Sequence, residues 1–216
     1  MTVEVNEDLA IIAEVQDDVL TVEEVVIEGV AEPVEAIDPE LLESEETLIA
    51  LAAAHNGWYK SNTGYWYYFV NGKWVTGWKK VSGYWYYFAS NGIMQKGWLE
   101  IGESWYYLRT ATNVPVSGPE GGMVVDWIKV GGYWYCLAGP AAGVSASAPD
   151  YGKMLKGIRS LGTYTYYFYD PKENVAGLSG YPEGAMVTSK SGIYIRDLKG
   201  NWSWMKIDAD GHVSYR

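Results

Sequence analysis

The chain has 216 residues with 11 Trp and 19 Tyr against 3 Phe, a formal net charge of −11, one cysteine and two histidines. The lone Cys136 excludes an internal disulfide, and with only His55 and His212 beside it a Cys/His zinc site has too few ligands. No apolar run approaches the ~18 residues needed to cross a bilayer, and Met1-Thr2-Val3-Glu4 lacks the basic head of a signal peptide, so no membrane span is expected.

Charge divides the chain into two domains, an acidic arm over residues 1–56 and a repeat domain over 57–216. The arm holds 16 acids and no base, and the rest holds 11 acids and all 16 bases, for net charges of −16 and +5. Every aromatic side chain also follows residue 57, which leaves the arm without large apolar anchors. Residues 1–37 mix Val, Ile and acids without a sustained period, as in Val25-Val26-Ile27-Glu28, and read as extended or disordered. Asp38-Pro39-Glu40 then supplies an N-cap, a first-turn proline and a dipole-matched acid. Leu41, Leu42, Leu48, Ile49 and Ala52 continue at helical spacing, predicting a helix over 39–55 that Asn56-Gly57 would close. Such a segment is either a solvated acidic leader or a docking arm that orders on a protein partner or on copies of itself. The bases beyond it are too thinly spread to track a phosphate backbone, so no nucleic-acid partner is expected.

From residue 57 the sequence repeats. Gly57-Trp58-Tyr59-Lys60 leads through Gly64-Tyr65-Trp66-Tyr67-Tyr68-Phe69 to Asn71-Gly72-Lys73-Trp74, and 20 residues later Gly77-Trp78 leads through Gly83-Tyr84-Trp85-Tyr86-Tyr87-Phe88 to Asn91-Gly92. A third copy carries Gly97-Trp98 and Trp105-Tyr106-Tyr107-Leu108, and a fourth Asp126-Trp127 and Trp134-Tyr135-Cys136-Leu137. In the fifth, Gly157-Ile158 and Thr165-Tyr166-Tyr167-Phe168 lose both tryptophans, and Trp202, Trp204 and Asp210-Gly211 suggest a terminal variant. Trp74, Met94, Met123, Met154 and Met186 each fall three residues before the next start.

Each copy predicts two short aromatic strands around a Gly-containing turn, a hairpin too small to stand alone in water. The expected fold is therefore all-β, a solenoid of stacked hairpins following an extended or partly helical arm. Strand alternation predicts Tyr67, Phe69, Tyr86 and Phe88 facing inward, with Trp85 and Tyr87 toward the grooves between hairpins. Three insertions, at 110–121, 138–152 and 170–184, follow the aromatic strand and are expected to project as irregular loops, either as tolerated lengthening or as a second recognition surface. Asp208-Ala209-Asp210-Gly211 lacks the further ligands of a calcium loop and reads as a turn.

This recurrence of Gly-Trp, Gly-x-Trp-Tyr-Tyr-Phe/Leu and Gly-x-Met resembles the choline-binding, cell-wall-binding repeats of Gram-positive surface proteins, lytic enzymes and their phages. The likeness is strong over 57–137 and weaker beyond. It implies ligand sites between consecutive hairpins, each made by the Gly-Trp and strand tryptophans of one copy and a strand tyrosine of the next. Carried over by position, a first choline pocket uses Trp58, Trp66 and Tyr87, and a second Trp78, Trp85 and Tyr107, with Met94 or Trp74 as an added wall. A third uses Trp98 and Trp105 but meets Cys136 where a tyrosine is expected, and a fourth uses Trp127, Trp134 and Tyr167. Ile158 and Thr165 end the series.

The chemistry fits independently of the likeness. A quaternary ammonium donates no hydrogen bond, and a site selects it with ring faces worth roughly 0.5–2 kcal/mol each, with no cofactor and no metal. One pocket then binds at about millimolar strength, and several are needed to hold a polymer. The implied function is a non-enzymatic binding protein for choline or phosphocholine on a teichoic-acid-like wall polymer. Its implied place is extracellular, at the bacterial surface as an adhesin or in a phage virion as a fibre or decoration. Two alternatives stay open: a carbohydrate-binding module, because the toxin-like Thr165-Tyr166-Tyr167-Phe168 lacks the leading Trp, and the targeting fragment of a wall hydrolase.

Overall fold

The computed structural model describes the backbone of residues 2–4, 10–12, 14–16 and 19–21 and, with side chains, residues 56–61, 63–111 and 118–215. The helix expected over 39–55 lies outside the described residues, as does the 112–117 part of the first insertion. The chain forms two compact units, Met1–Gln95 and Lys96–Arg216, so the compositional boundary at 56/57 falls inside the first.

In the first unit, β1 (Thr2–Glu4) pairs antiparallel with β2 (Ala10–Ile12), and β3 (Glu14–Gln16) with β4 (Val19–Thr21). These short ladders lie within the stretch expected to be extended or disordered. The first repeat follows as β5 (Gly57–Lys60) and β6 (Trp66–Val70), with β7 (Lys73–Trp74) added to β6. The second is β8 (Gly77–Val81) and β9 (Tyr84–Phe88). Its two-residue turn, Ser82-Gly83, takes positive φ at both positions (47° and 88°), the mirror-image turn that matches the twist of paired strands.

The second unit continues with β10 (Gly97–Ile101) and β11 (Ser104–Leu108), β12 (Asp126–Val130) and β13 (Tyr133–Leu137), and β14 (Gly157–Leu161) and β15 (Tyr164–Phe168). A three-stranded antiparallel sheet ends it: β16 (Lys190–Arg196), β17 (Trp202–Ile207) and β18 (Val213–Tyr215). Within each unit the fold is a stack of β-hairpins, as the repeat implies.

The core is divided among the interfaces of the stack. In the first unit, Val81, Tyr86, Phe88 and Met94 receive Trp58, Trp66 and Tyr68. In the second, Ile128, Tyr135 and Leu137 receive Trp98, Trp105 and Tyr107. Further along, Leu161 and Phe168 receive Trp127 and Cys136, and the terminal sheet receives Ile158 and Tyr167 on Ile193, Ile195, Met205 and Ile207. The alternation holds at β9, where Tyr86 and Phe88 are buried and Trp85 and Tyr87 half-buried.

One insertion departs from expectation. Residues 170–184 open with a 3-10 turn, Pro171–Glu173, capped by the Asp170 carboxylate, which accepts from the Lys172 N–H. The loop then turns back to bury Val175 and Leu178 in the terminal core, instead of projecting. Its apolar residues find there the partners that a free loop would deny them. In the 138–152 loop, the Asp126 side chain accepts from the Ala141 N–H at 2.8 Å and ties the insertion to the start of β12.

Candidate functional site

In the first hairpin Trp58 lies opposite Tyr68, and Lys60 opposite Trp66. Period-two alternation thus puts Trp58, Lys60, Trp66 and Tyr68 on one face. There the two indoles stand nearly perpendicular, 85° apart with centroids at 6.1 Å. The next hairpin lays Tyr86 against Trp58, with centroids at 4.7 Å and planes at 70°. The Met94 N–H donates to the Trp66 carbonyl at 2.8 Å and brings its thioether into the same cluster.

The arrangement recurs twice in the second unit. Trp98 and Trp105 meet at 6.3 Å and 87°, Tyr135 of the next hairpin lies 4.8 Å from Trp98, and the Met154 N–H donates to the Trp105 carbonyl at 2.7 Å. Trp127 and Trp134 meet at 6.5 Å and 84°, Tyr166 lies 4.9 Å from Trp127, and the Met186 N–H donates to the Trp134 carbonyl at 2.7 Å. Three copies thus agree to within a few tenths of an ångström.

These corners are walled by ring faces and a thioether. Burial raises the Tyr135 and Tyr166 phenols above their ordinary range, with smaller contributions from Tyr133 and Tyr164, so both stay neutral and offer π-density, not phenolate charge. Neutral rings of this kind suit a soft, non-hydrogen-bonding cation.

In the structure the tyrosine that completes each of these corners is not the one expected from position. Tyr87 was expected beside Trp58, but it stands over Trp78 of its own hairpin at 5.3 Å. Tyr107, expected to line a pocket, is buried beneath Trp98 at 5.0 Å. Tyr167 is buried in the terminal core, where its hydroxyl donates to Glu173 at 2.7 Å. The reason is register. These residues lie directly across from the Gly-Trp position, as in Trp78↔Tyr87, Trp98↔Tyr107 and Ile158↔Tyr167, and share its face. In the second and fifth hairpins the tyrosine one residue earlier, Tyr86 or Tyr166, points the other way and reaches the preceding hairpin. Cys136, opposite Trp127, therefore removes no ring from the corner of Trp98 and Trp105, because Tyr135 supplies it.

Tyr86 was expected inward, and it is buried while also walling the corner at Trp58. The sequence reading did not bring Tyr135, Tyr166, Met154 and Met186 to these corners, where the structure places them. The regular position of the methionines was the available signal. Trp78 and Trp85 lie in the first unit, with the Lys80 ammonium 5.9 Å from the Trp85 ring, and their expected partner Tyr107 lies in the second. Trp74 is partly exposed and packs beside Gly92.

Outside the corners, Asp208, Asp210 and His212 bring ligand-type atoms within 4.8 Å of one another. The Asp208 carboxylate already accepts from the backbone N–H groups of Asp210 and His212 and contacts His212 Nδ1 at 3.1 Å, as a turn requires. The His212 N–H bond is the main cause holding Asp208 below the usual carboxylate range.

Residues 75–113 match the family profile of the choline-binding repeat. Among solved structures, CbpF in complex with ipratropium is 28% identical with a TM-score of 0.50, the match covering 74% of this chain and 39% of that one. CbpJ from Streptococcus pneumoniae TIGR4 is 26% identical with a TM-score of 0.51, covering 74% of this chain and 42% of that one. The chain spans about two fifths of the length of these structures. No curated protein matches it at a significant level. The second and third hairpins, which the profile match spans, are similar to choline-binding repeats in sequence, and the described hairpins are similar to them in fold.

Proposed function

We propose that the chain is a non-enzymatic module that attaches to choline or phosphocholine groups on a bacterial wall polymer of teichoic-acid type. The observation that carries this reading is the threefold recurrence of one corner of neutral rings: two nearly perpendicular indoles, a tyrosine of the next hairpin and a methionine. Each corner presents ring faces to a cation that gives no hydrogen bond, and their number makes up for weak single sites on a polymer with many choline groups. Trp78 and Trp85 remain proposed choline-contacting rings within the first unit. The protein would act outside the cell, as a surface adhesin or a virion fibre, with the acidic arm engaging a protein partner or a second copy.

The test is tryptophan fluorescence against choline for the full chain. A saturable change at millimolar choline is expected, losing amplitude in Trp58→Ala and in Trp98→Ala. A flat titration rejects the reading.

A second reading, carbohydrate recognition, is favoured by the outward face of the terminal sheet. There Tyr194 stacks on Trp202 at 5.5 Å and 22°, Trp204 lies 5.3 Å from Tyr194, and all three are exposed. Near-parallel exposed rings suit the apolar face of a sugar. Saturation of the fluorescence by oligosaccharides, abolished in Trp204→Ala and unmoved by choline, would favour it.

A further inference from the structure

The corners share their rings but not their charge. In the first hairpin the residue paired with the strand tryptophan is Lys60, whose ammonium lies 5.4 Å from the Trp66 ring centroid. In the fourth hairpin it is Lys129, 5.8 Å from Trp134. Both lysines share a face with the tryptophans of their corner, so a protein cation already engages a ring that the ligand cation would need. In the third hairpin the paired residue is Glu100, opposite Trp105.

Glu100 is exposed and shares its face with Trp98 and Trp105. The nearby Glu103 is on the turn, where it accepts from Lys172 at 3.2 Å and is offset by that charge. The corner of Trp98, Trp105, Tyr135 and Met154 thus carries a rim carboxylate where the corner at Trp58 carries a rim ammonium, while at Trp127 the charge of Lys129 is accompanied by those of Asp208 and Asp210 beside Tyr166.

We infer that Glu100 makes the corner between the third and fourth hairpins a stronger cation site than the corner at Trp58, which Lys60 weakens. This rests on the choline reading above. A trimethylammonium group cannot form an ion pair of hydrogen-bonded geometry, but it feels the sign of a charge a few ångströms away through partly solvated surroundings. Replacing an ammonium by a carboxylate at such a rim shifts affinity by about three- to tenfold at low ionic strength, and added salt screens most of that difference. The shape of the site is unchanged, so the preference is for charge and not for size.

The experiment titrates the full chain with choline and with its neutral isostere 3,3-dimethylbutan-1-ol, at low and at high salt, following tryptophan fluorescence. The wild type should show a tighter step that Trp98→Ala removes and Trp58→Ala leaves. Glu100→Lys should weaken that step by about three- to tenfold at low salt, Glu100→Gln by less, and Lys60→Glu should strengthen the step assigned to Trp58. The isostere should not distinguish Glu100→Lys from wild type. Superimposable choline curves for wild type and Glu100→Lys at low salt overturn the inference while leaving the choline reading intact, and so does a tighter step that disappears in Trp58→Ala. No saturable response to choline in the wild type removes the choline reading, and this inference falls with it.

Discussion

Tyr135 and Cys136 are neighbours in sequence and opposites in role. Tyr135 leaves its own hairpin to meet Trp98, whereas Cys136 stays beneath Trp127. Tyr135→Leu keeps apolar bulk but removes the ring face, and is expected to weaken choline binding at that corner by about three- to thirtyfold. Cys136→Ser should leave that affinity unchanged, and calorimetric titration of both variants checks the contrast. Burial, with a smaller contribution from Asp126, pushes the Cys136 thiol up to about 12. The native thiol should therefore resist alkylation at pH 8 and react only after unfolding. The same shift fixes a pH dependence. Below the unfolded value of about 9 both states keep the proton; between about 9 and 12 the unfolded chain releases it while the folded one does not. Stability should then fall with rising pH by about 1.4 kcal/mol per pH unit from this group. Denaturant melts between pH 8.5 and 11 should be flatter for Cys136→Ala than for wild type. Residue types and spacing made the tryptophan pairs of each corner readable in the sequence. The partner tyrosine was not, because choosing between adjacent tyrosines needs the cross-strand register, and a shift of one position reverses the face.

The second repeat carries glycines of two kinds, and their substitution separates strain from crowding. Gly83 has φ +88°, and a Cβ added there meets nothing within 4 Å. Gly92 has φ +79°, and an added Cβ would stand 2.8 Å from the Trp74 ring. Gly83→Ala should cost about 1 kcal/mol, the strain of a left-handed backbone alone. Gly92→Ala should cost about 2–3 kcal/mol, because the indole must also shift. Urea unfolding of the two variants followed by fluorescence measures the difference, and equal losses would show that Trp74 yields freely. The hairpins themselves were legible from Gly-Trp, the aromatic strand and the small turn residues. The path of the 170–184 insertion was not: Val175 and Leu178 occur among turn-forming residues without a period, and only the uncovered face of the terminal core gives them a place.

At the scale of the whole chain, the number of corners matters more than the strength of any one. Three ring contacts less the entropy of association leave a single corner at about millimolar affinity, which alone would not hold a protein on a surface. When corners on one chain engage choline groups on one polymer, each later contact is intramolecular, with an effective concentration on the order of millimolar. Free choline and polymer should therefore respond differently to the same substitutions. Trp58→Ala, Trp98→Ala and Trp127→Ala should each remove about one site from a free-choline isotherm, with little effect on the others because the corners share no ring. On a choline-bearing polymer the single variants should stay bound with about tenfold faster release, and the triple variant should release at least a hundredfold faster, as avidity multiplies where free binding adds. Surface plasmon resonance on immobilised polymer, with millimolar choline as competitor, reads the release rates. If the single variants release as fast as the triple variant, one corner carries attachment and the repetition serves only to build the stack.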